Sequence, residues 1–189
     1  KLAELNSTIS SFEKNDVPKR FRAWLKNAPV STSLSPWETL DPTSIKSSGG
    51  SKFEQLEDGS HLAIGKAPNK EVLTIIAETR QLNLGAIRLE TLRDDSLPNK
   101  GPGRAANGNF ALGNINVTAQ SVDGSKPLTE VKLVGARATH QQNSDSLSVA
   151  ASIDGDPVSG WAVDIGGIGK DQAAVFDFAT TTGFESGTK

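Results

Sequence analysis

The residues best suited to hold a ligand lie in one short run, residues 154–161 (DGDPVSGW). Asp154 and Asp156 stand two positions apart in a turn that contains Gly and Pro, and Ser159 adds a hydroxyl. Such a turn also exposes backbone carbonyls, and calcium prefers about six to eight oxygen ligands. The run therefore predicts a calcium site formed by Asp154, Asp156 and Ser159. The alternative is an Asx turn that caps a hairpin without a metal. Trp161, at the end of the run, is either a core residue or a surface for ligand stacking.

A second candidate site is the glycine-rich stretch at residues 101–117 (GPGRAANGNFALGNINV). Its Gly and Asn content predicts an ordered loop whose backbone reaches positive φ or approaches another group closely. Arg104, Asn107 and Asn109 carry hydrogen-bonding groups on this loop. We predict that these three residues contact a ligand. The alternative is that the glycines only shape a wide connection between strands.

Residues that could support catalysis are sparse. Only His61 and His140 could act as imidazole bases, and neither lies near a Ser or Asp motif. The carboxylates of Asp94 and Asp95 are adjacent and point to different sides of an extended chain. Residues 166–170 (GGIGK) lack the full spacing of a phosphate-binding loop. We therefore expect no catalytic activity from this chain.

Composition narrows the class of protein. The 189 residues carry a formal net charge of −2, which gives no electrostatic case for nucleic acid or an anionic membrane as a partner. Cys is absent, which excludes disulfides, thiolate metal ligands and a covalently held c-type haem. No apolar run reaches the roughly 18 residues that span a bilayer. The chain lacks Met and begins at Lys1, so we expect it to be a fragment of a longer protein.

Hydrophobic periodicity predicts the elements that position these residues. Leu2, Leu5, Ile9 and Phe12 recur at helical spacing, which predicts a helical arm over residues 1–27, interrupted at Pro18. This arm is either the end of a coiled coil or a helix that docks on the following domain. Residues 28–36 (APVSTSLSP) have the composition of a linker.

From residue 37 onward the pattern changes to short strands joined by Gly, Pro and Asp turns. This pattern is typical of an all-β sandwich or jelly roll. Asp58-Gly59 predicts a hairpin turn. The predicted strands cover residues 37–40, 53–56, 61–64, 72–77, 86–92, 110–117, 128 or 131 to 139, 161–165 and 173–178.

Six stretches of the chain carry a likeness to a known family. They are FEKNDVPKRFRAW at 12–24, WETLDP at 37–42, LEDGSHLAIG at 56–65, AIRLETLRDDSLPNKGPGRAANGNFALGNINV at 86–117, SVAASIDGDPVSGWAVD at 148–164 and AVFDFATTTGFESGT at 174–188. These stretches resemble the large multidomain proteins of planctomycetes and related bacteria that carry a haem-c-type domain and planctomycete-specific domains of unknown function. Their order and spacing match over nearly the whole chain. The resemblance implies an internal galactose-binding-like β-sandwich, the class of discoidin and many carbohydrate-binding modules.

The resemblance also implies specific residues and a missing segment. Asp154, Asp156 and Ser159 would be calcium ligands, and Asn114 joins them because it stands where the family carries a Glu after a Ser. The family pattern continues past Thr188 with further strand sequence. We therefore expect the sandwich, residues 37–189, to lack its last strand or strands, with that edge occupied by the remainder of the parent protein or by another chain.

These observations lead to one principal expectation and two alternatives. We expect a non-catalytic binding module of an exported bacterial protein, located in the periplasm or outside the cell, whose partner is a polysaccharide or other glycan. Its ligand-binding residues would be Arg104, Asn107, Asn109 and Trp161, with calcium as a structural ion. The first alternative is a structural module that mediates assembly, with the helical arm pairing with a partner chain. The second is a hydrolase.

Overall fold

The computed structural model describes residues 1–27 and 37–189, so the predicted linker at residues 28–36 lies outside the described residues. The chain divides into two compact units, Lys1–Thr39 and Leu40–Lys189. The helices belong to the first unit, and the strands belong to the second.

The first unit contains the predicted helical arm. Helix α1 spans Leu2–Asn15 and helix α2 spans Val17–Asn27. Asp16 alone separates them and keeps helical dihedral angles, and its N–H donates to the Phe12 carbonyl at 2.8 Å. Pro18 lies in the first turn of α2, where its missing N–H costs no helical hydrogen bond. The break therefore falls just before the proline that predicted it.

The apolar side chains of the arm change direction at this break. Leu2 and Phe12 of α1 are 76% and 42% exposed, and Val17 and Phe21 of α2 are 45% and 55% exposed. At 3.6 residues per turn, Val17 and Phe21 lie roughly 120° around the helix axis from Leu2 and Phe12, if α1 and α2 are counted as one continuous helix. Among the described residues, no helix combines the length and apolarity needed to cross a bilayer.

The second unit is predominantly β, as the sequence predicts. Single turns of 3-10 helix at Pro98–Lys100 and Ala150–Ile153 interrupt the strands. The strands are β1 Pro42–Ser47, β2 Ser51–Gln55, β3 His61–Gly65, β4 Leu73–Ala77, β5 Leu84–Thr91, β6 Ala111–Leu112, β7 Val117–Ala119, β8 Thr129–Val131, β9 Leu133–Ala138, β10 Trp161–Ala162 and β11 Gln172–Thr182.

The strands pair antiparallel in small sheets. β11 is the centre of a three-stranded sheet between β5 and β9, with Phe176 opposite Ile87 on one side and Ala136 on the other. Four two-stranded pairs complete the set: β1 with β4, β2 with β3, β6 with β10, and β7 with β8. The hairpin predicted at Asp58-Gly59 is confirmed as the turn between β2 and β3. The jelly-roll order of strands stays a prediction.

The core lies between the three-stranded sheet and the β6–β10 pair. Trp161 and Phe176 are fully buried, and the Phe110 ring meets the Trp161 ring edge-on with centroids 4.9 Å apart. Full burial of one such side chain stabilises the fold by about 1.5–3 kcal/mol. The cluster is completed by Val149, Val163 and Ala174, with Ile87, Leu89, Leu112, Ile115, Leu133, Ala136, Ala138, Ile153 and Ile168 packed around it.

Four of the predicted strands are corrected by the structure. The strand predicted at 161–165 ends at Ala162. Residues 37–40 form no strand, and Trp37 is 54% exposed. The strand predicted at 110–117 is two strands, because the chain changes partner from β10 to β8 where the Ile115 N–H donates to the Ser152 carbonyl at 3.0 Å. The long strand up to residue 139 is likewise divided at Lys132, since β8 pairs with β7 and β9 pairs with β11.

The C-terminal residues lie between two other segments of the chain. Thr188 exchanges two backbone hydrogen bonds with Thr79, at 2.9 and 2.8 Å. Lys189 exchanges two with Gln120, both at 2.9 Å. Residues 187–189 therefore form a short strand-like segment between the end of β4 and the end of β7.

Candidate functional site

The structure brings the four predicted calcium residues together. The Ser159 hydroxyl lies 3.0 and 2.9 Å from the two carboxylate oxygens of Asp154. The same hydroxyl lies 3.2 Å from the Ala151 carbonyl oxygen and 3.3 Å from the Asp156 carbonyl oxygen. The Asn114 amide, from the loop between β6 and β7, donates to that Asp156 carbonyl at 3.4 Å. This cluster, Ala151, Asp154, Asp156, Ser159 and Asn114, is called the oxygen cluster below.

Asp156 contributes to the oxygen cluster differently from the prediction. Its carboxylate accepts the N–H of Val158 at 3.0 Å, which turns it toward its own loop. Asp154 also accepts the N–H of Asp156 at 2.8 Å, so both acids form Asx turns. The cluster therefore offers one carboxylate, one hydroxyl and two carbonyls, rather than two converging carboxylates.

The donor chemistry of the oxygen cluster fits a hard cation such as calcium. Its carboxylate, hydroxyl and carbonyl groups all present oxygen atoms that can coordinate a metal. Asn114 presents its amide nitrogen here, and its amide oxygen is a further potential ligand. No group of three or more His, Asp or Glu side chains gathers within residues 1–27 and 37–189. Carbonyl and hydroxyl groups would therefore have to supply most of the coordination.

The glycine-rich stretch at residues 101–117 forms a loop, called the central loop below, whose glycines are required by its own compact shape. A Cβ on Gly103 would lie 2.0 Å from the Asn109 carbonyl oxygen, and one on Gly108 would lie 2.5 Å from the Pro98 carbonyl oxygen. The N–H of Gly103 donates to the Gly108 carbonyl at 2.8 Å, which folds the loop back on itself. These close approaches are to protein backbone, which favours the alternative in which the glycines shape a connection.

Arg104 is bound to the end of the β2–β3 hairpin. Its guanidinium donates to the carbonyls of Gly65 and Lys66 at 2.7 and 2.6 Å, and to the Ser51 hydroxyl at 3.2 Å. That hydroxyl donates in turn to the Glu71 carboxylate at 2.8 Å. The geometry gives Arg104 a role in holding the central loop against the hairpin. Its contact with a ligand stays a prediction.

The two predicted asparagines hold the same loop to the segment after β10. The Asn107 side-chain amide donates to the Asp164 carboxylate at 3.1 Å, and its oxygen accepts the N–H of Asn109 at 3.1 Å. The Asn109 side-chain oxygen accepts the N–H of Val163 at 3.0 Å. Asn107 is exposed, and Asn109 is half-buried.

The prediction that Trp161 stacks against a ligand is corrected. Its side chain is fully buried, and its indole N–H donates to the His140 carbonyl at 2.8 Å. A ring without solvent exposure offers no face for a sugar, so Trp161 is a core residue.

The residues considered for catalysis each make contacts of their own. Asp94 accepts hydrogen bonds from the hydroxyl and the N–H of Ser96, and these bonds lower the pKa of its carboxyl, the hydroxyl contributing most. Asp95 pairs instead with Lys100 at 3.2 Å. His140 is covered by the loop at 166–170, since a Cβ on Gly167 would lie 2.6 Å from its ring. Among the described residues its Nε2 has no hydrogen-bond partner.

Sequence reasoning missed an open groove of about 520 Å³ beside strands β1, β2 and β3. Its lining residues include one aromatic residue, three residues with hydroxyl groups, one lysine and one histidine. Phe53 and His61 are half-buried, and Lys52 is exposed. Only His61 among these was considered from the sequence, and no local pattern marks the others, because the groove is created by the meeting of separate strands. The lining residues are Pro42, Thr43, Ser44, Ile45, Ser51, Lys52, Phe53 and His61.

Comparisons with known proteins place the chain in no family. No family model matches it, and neither a curated protein nor a solved structure matches it significantly.

Proposed function

We propose that the chain is a non-catalytic binding module for carbohydrate and that the groove beside β1, β2 and β3 is its binding site. The observation that carries this proposal is the lining of the groove. Its volume of about 520 Å³ falls within the range of small-ligand sites and accommodates one or two sugar rings. Thr43 and Ser44 supply hydroxyls, and Phe53 supplies an apolar ring surface.

The charges of the groove favour an acidic sugar. Lys52 carries an ammonium group that can pair with a carboxylate or sulfate, and His61 adds an imidazole that can form a hydrogen bond. An uronic acid or sulfated residue would use both groups together with the neighbouring hydroxyls. A neutral sugar would use the hydroxyls and Phe53 alone.

A binding experiment with matched variants tests the groove. The chain is applied to an array of neutral, uronic and sulfated glycans, and affinity for the best binder is measured by calorimetry. Lys52→Ala should weaken binding about tenfold, the loss of one charge-assisted hydrogen bond. Lys132→Ala, which removes an exposed lysine on another strand connection, is the control. Equal affinity of both variants and the parent would remove the groove as the site.

The proposal includes calcium as a structural ion. Asp154 and Ser159 would bind it with side-chain oxygens, Ala151 and Asp156 with carbonyls, and Asn114 with its amide oxygen. A bound cation would neutralise the Asp154 carboxylate and lock the 151–159 turn against the loop that follows β6. Asp154 is already held by the Ser159 hydroxyl. The Asx-turn alternative therefore predicts the same fold without a metal.

Chelation separates these two alternatives. If calcium is bound, adding a chelator should lower the melting temperature, because a ligand of the folded state stabilises it by mass action. Asp154→Asn should lower the melting temperature and remove the response to chelator. If the unsubstituted chain melts at the same temperature with calcium and with chelator, the turn binds no calcium and acts only as an Asx-turn cap.

The proposal extends to the wider arrangement of the chain. The strands would complete a galactose-binding-like jelly roll, and the module would belong to an exported protein of the planctomycete multidomain type that acts in the periplasm or outside the cell. The support for this is the resemblance of residues 148–164 and the other matching stretches. A fractionation experiment with the full-length parent protein tests the location.

A module for assembly is the second candidate, and the helical arm favours it. Leu2 and Leu5 of α1 are 76% and 57% exposed, so an apolar stripe is available to a partner helix. Light scattering should then report a dimer or larger species, and Leu5→Asp should return it to a monomer. If the unsubstituted chain is a monomer that still binds glycan, the binding module is favoured over the assembly module.

A further inference from the structure

Helix α2 is strongly basic, although the chain as a whole is slightly acidic. Its sequence, VPKRFRAWLKN, contains four of the 20 Lys and Arg residues of the chain and none of the 22 Asp and Glu residues. Because the whole chain carries −2, removing these four positive charges leaves −6 for the residues outside α2. The overall charge therefore conceals a local surface that attracts anions.

The basic side chains of α2 that the structure describes keep their charge exposed. Lys19, Arg20 and Arg22 are all exposed. Among the described residues, none of these three side chains forms an ion pair with Asp or Glu. The Arg20 guanidinium lies 5.1 Å from the centre of the Phe12 ring of α1, a cation–π contact that leaves its charge in place. These charges are therefore available to an external anion.

The apolar residues of α2 lie on the side away from its basic residues. Val17 and Phe21 are about one helical turn apart and are 45% and 55% exposed. The sequence continues this spacing with WL at residues 24–25, seven and eight positions after Val17. At 3.6 residues per turn, Lys19 and Arg22 lie roughly 160° and 140° around the axis from Val17. The helix therefore has one apolar face and one basic face.

We propose that α2 binds the surface of a membrane that contains anionic lipid, with the helix axis lying in the plane of the interface. The apolar face would enter the boundary of the acyl chains, and the basic face would meet the lipid headgroups. The 11 residues of α2 give it a length of about 16 Å, which lies along the surface. A nucleic acid or an acidic peptide would match the charges but would leave Val17 and Phe21 in water.

This surface is separate from the two regions already discussed. It uses residues of α2 alone, whereas glycan binding is assigned to the groove beside β1, β2 and β3. The apolar stripe of α1, which carries Leu2 and Leu5, lies in a different direction around the arm. Failure of glycan binding or of helix pairing would therefore leave the membrane proposal standing, and the reverse also holds.

Vesicle flotation with the whole chain tests the charge of α2. Vesicles of phosphatidylcholine with about 30% phosphatidylserine should carry the chain, and vesicles of phosphatidylcholine alone should not. Lys19→Gln combined with Arg22→Gln should weaken binding to the anionic vesicles about 30-fold, because each basic residue at the surface contributes about fivefold. Gln has nearly the same helix propensity as Lys and Arg, and circular dichroism checks that the helix is kept. Lys1→Gln combined with Lys14→Gln, which removes two charges from α1, is the control and should change binding much less.

Labelled cysteines test the apolar face. The chain contains no Cys, so one introduced Cys carries a polarity-sensitive dye at a single position. A dye at Val17→Cys should become brighter on binding to the anionic vesicles, because this position enters the acyl boundary. A dye at Ala23→Cys, roughly 120° around the axis from Val17, should change little.

Three results would overturn the proposal. The first is equal flotation of the unsubstituted chain and the Lys19→Gln, Arg22→Gln variant, including no flotation of either. The second is an equal dye response at both labelled positions. The third is tighter binding to a DNA oligonucleotide or to polyglutamate than to the anionic vesicles at the same salt concentration, with no change in Phe21→Ser, which would assign the basic face to a polyanion.

Discussion

The three-stranded β5–β11–β9 sheet and the β1–β4 pair differ in how completely they bury their inner faces. β11 has a strand on each side, and Phe176 on it is fully buried. β4 has a strand on one side within the described residues, and Ile75 on it is 53% exposed. β4 is the more apolar of the two, since it reads LTIIA and β11 reads QAAVFDFATTT. The difference shows that burial here depends on neighbouring strands more than on the hydrophobicity of the strand itself.

The largest expected effect tests this contrast directly. Phe176→Ala should lower the free energy of unfolding by about 3–5 kcal/mol, because it leaves a cavity in a packed core. Ile75→Ala should cost about 1 kcal/mol or less, since much of that side chain is already in water. Urea unfolding of both variants measures the two values. Similar costs would mean that Ile75 is covered in solution, which would contradict the exposed inner face of β4.

A medium effect is expected where the central loop meets the β2–β3 hairpin. Arg104→Ala should cost about 1–3 kcal/mol, because it leaves the carbonyls of Gly65 and Lys66 without their donor. Arg93→Ala, whose ion pair with Asp95 is long at 4.0 Å and exposed, is the control and should be close to neutral. Glycan affinity should be unchanged in both variants. A loss of affinity at full stability would return Arg104 to the binding site.

The smallest effect is expected at the turn that follows β7 and depends on pH. The pKa of Asp123 is lowered, chiefly by the N–H of Ser125, with further hydrogen bonds from the hydroxyls of Ser125, Ser121 and Ser186. A carboxyl whose pKa is lower in the folded state stabilises the fold above its unfolded pKa, and that contribution is lost as the pH falls. Asp123→Ala should therefore lower the melting temperature slightly at pH 7.

The difference between Asp123→Ala and the parent should shrink below about pH 4, where the unfolded carboxyl becomes protonated. Glu57→Ala, in the turn between β2 and β3, controls for the loss of one surface carboxylate. A difference that is constant from neutral to acid pH would show that the hydrogen bonds of Asp123 do not contribute.

Local patterns in the sequence were sufficient for some elements and for one side-chain contact. The hairpin at Asp58-Gly59 and the contact between Asp154 and Ser159 are formed by residues within a few positions of one another, so turn chemistry predicts them. Asn114 joins the oxygen cluster from 42 positions away. The roles of Arg104 and of the groove were not predictable in this way. Arg104 bonds to residues 38 to 53 positions away in the chain. The strand predicted at 110–117 also failed for a long-range reason, because alternation does not reveal a change of partner.

The burial of Trp161 makes the core of this chain visible by fluorescence. Its indole is shielded from solvent and hydrogen-bonded to the His140 carbonyl, whereas Trp37 is half exposed. With Trp24 and Trp37 replaced by Phe, the remaining emission should be shifted to short wavelength and should resist quenching by acrylamide. Such a chain would report on the core beside the β5–β11–β9 sheet alone, and ligand binding in the groove beside β1, β2 and β3 would leave its spectrum unchanged.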